Sequence, residues 1–332
     1  MRPRPRRLSG FPTLSPPILM AALLGAAAVA SAQSPPLELR KGDRIVLLGN
    51  TMAERMQLFN HFEAMLIAGS PDLDLVVRNL GWSGDTITLQ PRPLNFGDAA
   101  AHLKAQQPDV IIAFFGLNES FAGETGLPAF ERDLDAYLGK LIDGQYSSKG
   151  PTRIALVSPM AQERLARLEG YVDVKARNAD IARYTDVMRK VAARRKVTFV
   201  DLYTPTATLM ANGGDPLTIN GIHVNDHGDA VIAPLLIDGL GLGPSTTIPS
   251  SGQAFERLRE LIRDKNQQFF YRWRPVNAEY VVGRRVEPFG AVNFPPEQKQ
   301  LDGIVTDSDQ QIWAEAHAIP RGGLPGQPGG AR

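Results

Sequence analysis

Short aliphatic runs alternate with longer amphipathic stretches from Leu39 onward. Runs of about 4 to 8 β-branched or aliphatic residues indicate strands, whereas apolar positions recurring every three or four residues indicate helices. The pattern predicts five strands, at Arg44–Leu48, Leu73–Arg78, Val110–Phe115, Arg153–Val157 and Thr198–Val200. It predicts helices near Ala53–Ala68, Asp98–Ala105, Leu127–Ile142 and Asn178–Arg194.

This alternation is typical of βαβ units and a parallel sheet. Val110–Phe115 is continuously apolar, as expected for a central strand that helices cover on both faces. We therefore predict an α/β fold, a flavodoxin-like doubly wound parallel sheet of five strands. In such a fold the ligand site lies at the carboxyl ends of the strands. The proline-rich segment Asp85–Asp98 should form a loop above that edge.

The chain is expected to have four parts. Residues 1–32 read as a signal peptide, 33–245 as the α/β domain, 246–317 as a helical or irregular extension that packs on the domain, and 318–332 as a disordered tail. The extension should begin with a helix from Gln253 to about Phe270.

The signal-peptide assignment depends on three features of the first 32 residues. Four arginines precede an apolar run from Ile18 to Ala30, and Ala30-Ser31-Ala32 resembles a small-residue cleavage site. The apolar run is shorter than the roughly 20 residues that span a bilayer. We expect export to the periplasm or the medium with cleavage near Ala32, and no integral membrane segment in the mature chain.

Composition excludes several classes of function. Without the four arginines of the signal peptide, acidic residues exceed Lys and Arg by about three, which gives no basic footprint for nucleic acid. The chain has no cysteine, and its five histidines lack zinc-site spacing. Phosphate-loop and dinucleotide fingerprints are absent as well. We expect no cofactor and no catalytic metal.

Four short motifs hold the candidate chemistry. They are Gly49-Asn50-Thr51, Gly81-Trp82-Ser83-Gly84-Asp85-Thr86, Gly116-Leu117-Asn118-Glu119 and Asn220-Gly221-Ile222-His223. In order and spacing they resemble the four blocks of the SGNH (GDSL) ester hydrolases, over roughly Asp43 to Leu236. The first three blocks follow predicted strands, where a doubly wound fold places its ligand site.

The resemblance implies a role for Thr51, which occupies the position of the family's nucleophilic serine. Threonine keeps the hydroxyl, but its extra methyl restricts χ1. A structural alternative stays open, because Thr51-Met52-Ala53-Glu54 reads as a capping box that opens a helix. The resemblance also implies an oxyanion hole made by the backbone N–H of Thr51, the N–H of Gly84 and the side chain of Asn118.

His223 matches the family's catalytic base, and Asn220 stands where the family has its aspartate. An amide carries no negative charge to stabilise imidazolium and can favour the wrong imidazole tautomer. Asp226 and Asp201 are candidate replacements for the acid, and some members of the family support the histidine through a backbone carbonyl instead.

Other polar and aromatic residues have structural explanations beside functional ones. Asp85 and Glu119 lie within the second and third motifs, and a structural hydrogen-bond role is favoured for Glu119. The aromatic and arginine-rich run Phe269–Asn277, together with Trp82, is consistent with a sugar-binding platform or, more simply, with packing of the extension on the domain.

The sequence therefore predicts an exported ester hydrolase acting on a small ester, for example an acylated carbohydrate. The competing hypothesis is a catalytically inactive protein on the same fold that binds a glycan or acylated ligand. Thr51 and Asn220 are the residues that separate the two.

Overall fold

The computed structural model describes residues 34–274, 283–288 and 290–320. Its strands, numbered in chain order, are β1 (Arg44–Gly49), β2 (Val76–Asn79), β3 (Val110–Phe114), β4 (Arg153–Val157) and β5 (Thr198–Val200). Its α-helices are α1 (Thr51–Phe59), α2 (His61–Gly69), α3 (Ala99–Gln106), α4 (Leu127–Asp143), α5 (Val174–Arg195), α6 (Tyr203–Ala211), α7 (Asp226–Gly239), α8 (Gln253–Trp273) and α9 (Phe294–Ala318).

The five strands form one parallel sheet in the order β2-β1-β3-β4-β5. Every residue of β3 is buried, because helices cover the central strand on both faces. The two hydrophobic clusters on the two faces of the sheet take alternate residues of β1 and β3. The predicted doubly wound α/β fold is confirmed, and its carboxyl edge brings together the loops that follow the strands.

Several predicted boundaries differ from the structure. The single helix predicted over Ala53–Ala68 is two helices, because Asn60 has a left-handed φ of 65° and ends α1. The second strand starts at Val76, since Pro71–Leu73 forms a 3₁₀ turn. Helix α5 begins at Val174, where the Asp173 side chain caps it. Helices α6, α7 and α9 were not predicted.

The C-terminal helices α8 and α9 complete the core beside β2. Phe255, Leu258 and Ile262 of α8 join the same hydrophobic cluster as α2 and β1. Lys265 is fully buried and donates to Glu63 Oε1 at 2.6 Å and to the Val77 carbonyl at 3.0 Å. These helices therefore share the core of the α/β sheet.

Two buried charged residues join β2 to α9. Arg78 and Asp309 are 6% and 4% exposed, and their bidentate pair has N–O distances of 3.0 and 2.5 Å. Arg78 lies in the edge strand and Asp309 in the last helix. The pair therefore fixes the C-terminal helix against the edge of the sheet.

The aromatic run at the end of α8 packs on the loop that follows β2. The Trp82 and Trp273 rings are 5.7 Å apart, and the Arg274 guanidinium lies 3.8 Å from the Trp82 ring centroid. Arg274 also pairs with Glu54 of α1. These contacts agree with the packing interpretation. Residues 275–282, which include Tyr280, lie outside the described part of the chain.

The predicted signal peptide over residues 1–32 lies outside the described residues, as does the predicted tail beyond Pro320. Pro320 itself is described, and residues 318–319 belong to the end of α9 and its C-cap. Among the helices described, none is both long enough and apolar enough to cross a membrane.

Candidate active site

The turn between β1 and α1 presents Thr51 at the carboxyl edge of the sheet. Gly49 has a φ of +133°, and a Cβ there would lie 2.1 Å from the Phe114 carbonyl oxygen, so only glycine fits. Asn50 is the N-cap of α1, and its Oδ1 accepts the Met52 N–H at 3.0 Å.

The capping-box prediction for Thr51 is therefore wrong, because Asn50 already supplies the cap. Glu54, the other half of the predicted box, instead accepts the Ser83 backbone N–H at 2.7 Å and pairs with Arg274. The Thr51 hydroxyl makes no hydrogen bond with any residue that the structure describes. Within that part of the chain, therefore, no structural hydrogen bond fixes the Thr51 hydroxyl.

Thr51 and His223 line one small cavity at the ends of β1, β3 and β4. Its volume is about 20 Å³, room for about one water molecule. The lining residues are Asn50, Thr51, Met52, Phe114, Phe115, Leu117, Ser158, Pro159, Met160, Ile222 and His223. A larger cavity of about 310 Å³, in the loop over residues 162–175, contains neither Thr51 nor His223. We assign the candidate chemistry to the smaller cavity, because the Thr51 hydroxyl group and the His223 imidazole belong to residues that both line it.

His223 lies in a tight turn whose hydrogen bonds fix the Asn220 side chain. The Ile219 N–H donates to the His223 carbonyl at 2.8 Å, which closes the turn. Asn220 Oδ1 accepts the His223 backbone N–H at 3.0 Å, and Asn220 Nδ2 lies 3.0 Å from His223 Nδ1. Because Oδ1 faces the backbone donor, the amide NH₂ faces the ring. Nδ1 must then accept, and the neutral imidazole carries its proton on Nε2.

The buried side chain of Glu163 stabilises the turn that carries His223. Glu163 is 8% exposed and accepts the N–H groups of Leu217 and Thr218 at 2.9 and 2.8 Å. Its own N–H donates to the Gly221 carbonyl at 2.8 Å. Glu163 was not among the predicted site residues, and its only signal in the sequence is its place shortly after β4 on the carboxyl side of the sheet.

The electrostatic environment of His223 disfavours its charged form. Burial lowers the pKa of His223, and the positive charge of Arg55 lowers it further. An aspartate at position 220 would have opposed both effects. The imidazole is therefore held neutral to a lower pH than a free histidine.

The two candidate replacement acids have other partners. Asp226 Oδ1 lies 3.0 Å from both His61 Nε2 and Arg259 Nη1. Asp201 pairs with Arg189 at 2.7 Å and accepts the Thr204 N–H at 2.9 Å. Neither carboxylate is hydrogen-bonded to His223 in the part of the chain that is described.

The three candidate oxyanion donors lie on adjacent loops. The Trp82 N–H donates to the Gly49 carbonyl at 2.8 Å, which ties the Gly84 loop to the Thr51 turn. Asn118 Nδ2 donates to the Asp85 carbonyl at 3.0 Å, next to Gly84. Gly84 has a φ of +85° and open space where a Cβ would be. Neither the Thr51 N–H nor the Gly84 N–H has an acceptor among the described residues.

The carboxylates beside the motifs stabilise these loops. Glu119 accepts the Ile87 and Gly116 N–H groups at 2.9 and 2.8 Å, as predicted for a structural role, and burial raises its pKa. Asp85 forms a bidentate pair with Arg92 at 2.8 and 2.6 Å. Within residues 34–274, 283–288 and 290–320 there is no cluster of three or more His, Asp or Glu side chains that could hold a metal ion.

Comparison with known proteins gives one matching family and several similar solved structures. A family model described as the GDSL-like Lipase/Acylhydrolase family matches residues 51–231. No curated protein sequence matches the chain.

Three of the solved structures that match the chain illustrate the likeness. A protein from Parabacteroides merdae that is described as a GDSL-like lipase is 17% identical to this chain. Its TM-score is 0.50, over 63% of this chain and 100% of that one. An acetylxylan esterase from Geobacillus stearothermophilus is 16% identical, with a TM-score of 0.47 over 62% and 97%. A gut microbial diltiazem-metabolizing enzyme is 21% identical, with a TM-score of 0.47 over 63% of this chain and only 49% of that enzyme. At these identities the likeness concerns the fold.

Proposed function

Because the chain belongs to the GDSL-like lipase/acylhydrolase family, we propose that it is an exported hydrolase of small acyl esters. Thr51 acts as the nucleophile and His223 as the base. The observation that carries the proposal is the cavity that Thr51 and His223 share at the carboxyl edge of the sheet. No hydrogen bond from the described residues holds the Thr51 hydroxyl, so it is available for reaction.

The reaction proceeds through an acyl-threonine. In the Nδ1–H tautomer, which leaves Nε2 free, Thr51 Oγ1 forms a bond to the ester carbonyl carbon while its proton passes to His223 Nε2. The N–H groups of Thr51 and Gly84 and the Asn118 amide stabilise the oxyanion. The bond to the alcohol then breaks, and His223 returns the proton to the leaving oxygen. Water, deprotonated by the same imidazole, then attacks the acyl carbon. The bond from that carbon to Thr51 Oγ1 breaks, His223 returns the proton to Oγ1, and the acid is released.

The size of the cavity favours a small acyl group. A cavity of about 20 Å³, with room for about one water molecule, favours the smallest acyl groups, and larger ones require the lining side chains to move. Phe114, Phe115 and Met160 form apolar walls, which suit a methyl group. We therefore propose acetyl esters as substrates, with acetylated sugars among the alcohols to be tested.

Asn220 makes this proposed hydrolase slow. The base must offer a free Nε2, yet the Asn220 NH₂ group faces Nδ1 and favours the Nε2–H tautomer. Reversing the amide would bring Oδ1 to Nδ1–H but would take away the acceptor of the His223 backbone N–H. An unsatisfied backbone donor costs about 1–3 kcal/mol, which corresponds to roughly 10- to 100-fold in rate.

The same contact favours a second candidate function, ligand binding without turnover. In the Nε2–H tautomer His223 is a hydrogen-bond donor, like the Thr51 hydroxyl and the Asn118 amide. A site of this kind would hold a carbonyl or carboxylate oxygen of an acylated ligand. The two candidates differ in one measurable property, the release of acid from an ester.

The test is hydrolysis of p-nitrophenyl acetate and of acetylated sugars by the purified protein and its Thr51→Ala and His223→Gln variants. Thr208→Ala is the matched control, because its hydroxyl bonds only the Thr204 carbonyl on the exposed side of α6. The proposal requires turnover that both site variants lose and the control keeps. An acetyl group trapped on Thr51 in a rapid-quench digest would identify the intermediate. Turnover equal in all four proteins would exclude the proposed hydrolysis.

Export is a separate part of the proposal, supported by the charged and apolar pattern of residues 1–32. N-terminal sequencing of the protein recovered from the periplasm or medium of an expressing bacterium tests it. A new terminus near position 33 is expected. Recovery of the uncleaved chain from the cytoplasm alone would contradict it.

A further inference from the structure

We infer that Arg55 is a positioning residue, which ties the helix that carries Thr51 to the turn that carries His223. The inference rests on the proposed function, since it concerns how the two reacting groups are held together. Arg55 belongs to none of the four sequence motifs.

The geometry of α1 places Arg55 one helical turn after Thr51, on the same face. Its guanidinium donates to the Val224 carbonyl through Nε at 3.1 Å and Nη2 at 2.7 Å. Val224 is fully buried and directly follows His223. One side chain thus joins the first turns of α1 to the backbone beside the imidazole.

The guanidinium has no carboxylate partner among the described residues. Glu54, its neighbour in α1, is paired with Arg274 and with Ser83. Asp229 lies near enough to act on Arg55, but burial raises the pKa of Asp229 to about 7, so much of it is uncharged at neutral pH. The positive charge of Arg55 is therefore only partly compensated.

That charge acts on His223, whose pKa Arg55 lowers beyond the effect of burial. The other charged groups around the turn have different contacts. Glu163 accepts N–H groups at the base of the turn, and Arg167 donates to the Ile219 carbonyl. Asp226, at the start of α7, is bound to His61 and Arg259. Arg55 therefore both sets the distance between the reacting groups and keeps the imidazole neutral.

Three variants of the full chain separate the two effects. Arg55→Lys keeps the charge but loses the planar pair of donors, whereas Arg55→Met loses both. Arg132→Met is the control, because it removes one positive charge from an exposed position on α4. The measurements are ester turnover, an NMR titration of the His223 imidazole, and hydrogen exchange of the Ile219 N–H that closes the turn. A His223→Gln sample identifies the His223 resonance among the five histidines.

We expect kcat to fall about 10-fold in Arg55→Lys and about 100-fold in Arg55→Met, with KM little changed, because misplacement of the base affects the chemical step. Ile219 exchange should accelerate in both. The His223 titration midpoint should rise in Arg55→Met and stay near the wild-type value in Arg55→Lys.

Folded Arg55 variants with wild-type exchange at Ile219 and an unmoved His223 midpoint would overturn the inference. If Arg55→Met does not fold, the Ile219 exchange rate and the ester turnover of Arg55→Lys test the inference. A wild-type protein without ester turnover would refute the proposed function, yet the exchange and titration data would still decide the role of Arg55.

Discussion

Asn220 Nδ2 lies 3.0 Å from His223 Nδ1, while Oδ1 of the same amide accepts the His223 backbone N–H at 3.0 Å. An amide has one accepting and one donating end, so the contact with the backbone decides which end meets the ring. A carboxylate has two accepting ends and could serve both donors. One atom in the side chain of residue 220 thus determines the tautomer of the proposed base.

Asn220→Asp is expected to raise kcat for acetyl esters by about 10² to 10⁴-fold, since the carboxylate holds the Nδ1–H tautomer and stabilises imidazolium. It should also raise the pKa of His223, so that the acid limb of the pH–rate profile moves to higher pH. Kinetics and two-bond ¹⁵N–¹H spectra of the imidazole measure both effects. Asn212→Asp, which adds the same charge at the exposed end of α6, should change neither. Equal rates in the two variants would contradict the tautomer explanation.

Substitutions at Thr51 should change the rate of ester hydrolysis, whereas substitution of Asn50 should change the free energy of unfolding. Thr51→Ser relieves the χ1 restriction and should raise kcat, whereas Thr51→Ala should abolish turnover and change the free energy of unfolding by less than about 0.5 kcal/mol. Asn50→Ala removes the cap of α1 and should cost about 1 kcal/mol. Urea unfolding and esterase assays check the pair. If the Thr51→Ala protein were less stable than the Asn50→Ala protein, Thr51 rather than Asn50 would be the residue that caps α1.

Glu163→Gln should loosen the turn that carries His223. The glutamine has a single accepting oxygen for the two N–H groups of Leu217 and Thr218, so one buried donor loses its partner at about 1–3 kcal/mol. We expect a lower melting temperature, faster hydrogen exchange at both amides and lower kcat. Glu169→Gln, in the same loop but exposed and paired with Arg164, is the control. Unchanged exchange at Leu217 and Thr218 in Glu163→Gln would show that the carboxylate does not hold the turn.

Asp229 makes stability dependent on pH. Burial raises its pKa from 3.8 to about 7, so its native environment favours the protonated form. Stability from this group is complete below about pH 4 and is lost as pH rises through 7. Asp229→Asn should therefore be more stable than wild type above pH 7, by no more than about 4 kcal/mol, with the gain disappearing at pH 4. Thermal unfolding across pH measures it, with exposed Asp186→Asn for comparison. A gain that is equal at pH 4 and pH 8 would contradict the assignment.

The buried pair Arg78–Asp309 should behave as one unit. Arg78→Met alone leaves Asp309 buried without its partner, and Asp309→Val does the same to Arg78, so each single change should cost about 3–5 kcal/mol. The double variant removes both charges and should recover most of that loss. Urea unfolding of the four proteins completes the cycle. Additive losses in the double variant would mean that the two side chains do not interact.

The sequence predicted the strands well because each is a short aliphatic run between turn residues. It failed where one residue overrides a periodic pattern. Asn60 adopts a left-handed conformation and divides a continuous helical pattern into α1 and α2. Helix α9 begins at Phe294 with two prolines, which favour a helix only in its first turn, and nothing in the local pattern revealed its buried partner Arg78.

The motifs predicted which residues of the site share an edge, because parallel strands end together. They did not reveal Glu163 or Arg55, whose roles arise from contacts with a turn distant in sequence. They also made Thr51 a plausible cap, since Asn50 and Thr51 are both good capping residues and only backbone geometry decides between them.

The edge strand β2 has a consequence for synthesis of the chain. The carbonyl of Leu75, just before β2, accepts the Trp313 side chain, and the Val77 carbonyl accepts Lys265. Arg78 of the same strand is paired with Asp309. At about 5–20 residues per second, a ribosome takes roughly 10 to 50 s to pass from Arg78 to Asp309. During that interval a nascent chain presents an uncovered sheet edge, which invites pairing with other chains. Premature termination anywhere before α9 should therefore yield aggregates rather than a smaller folded hydrolase.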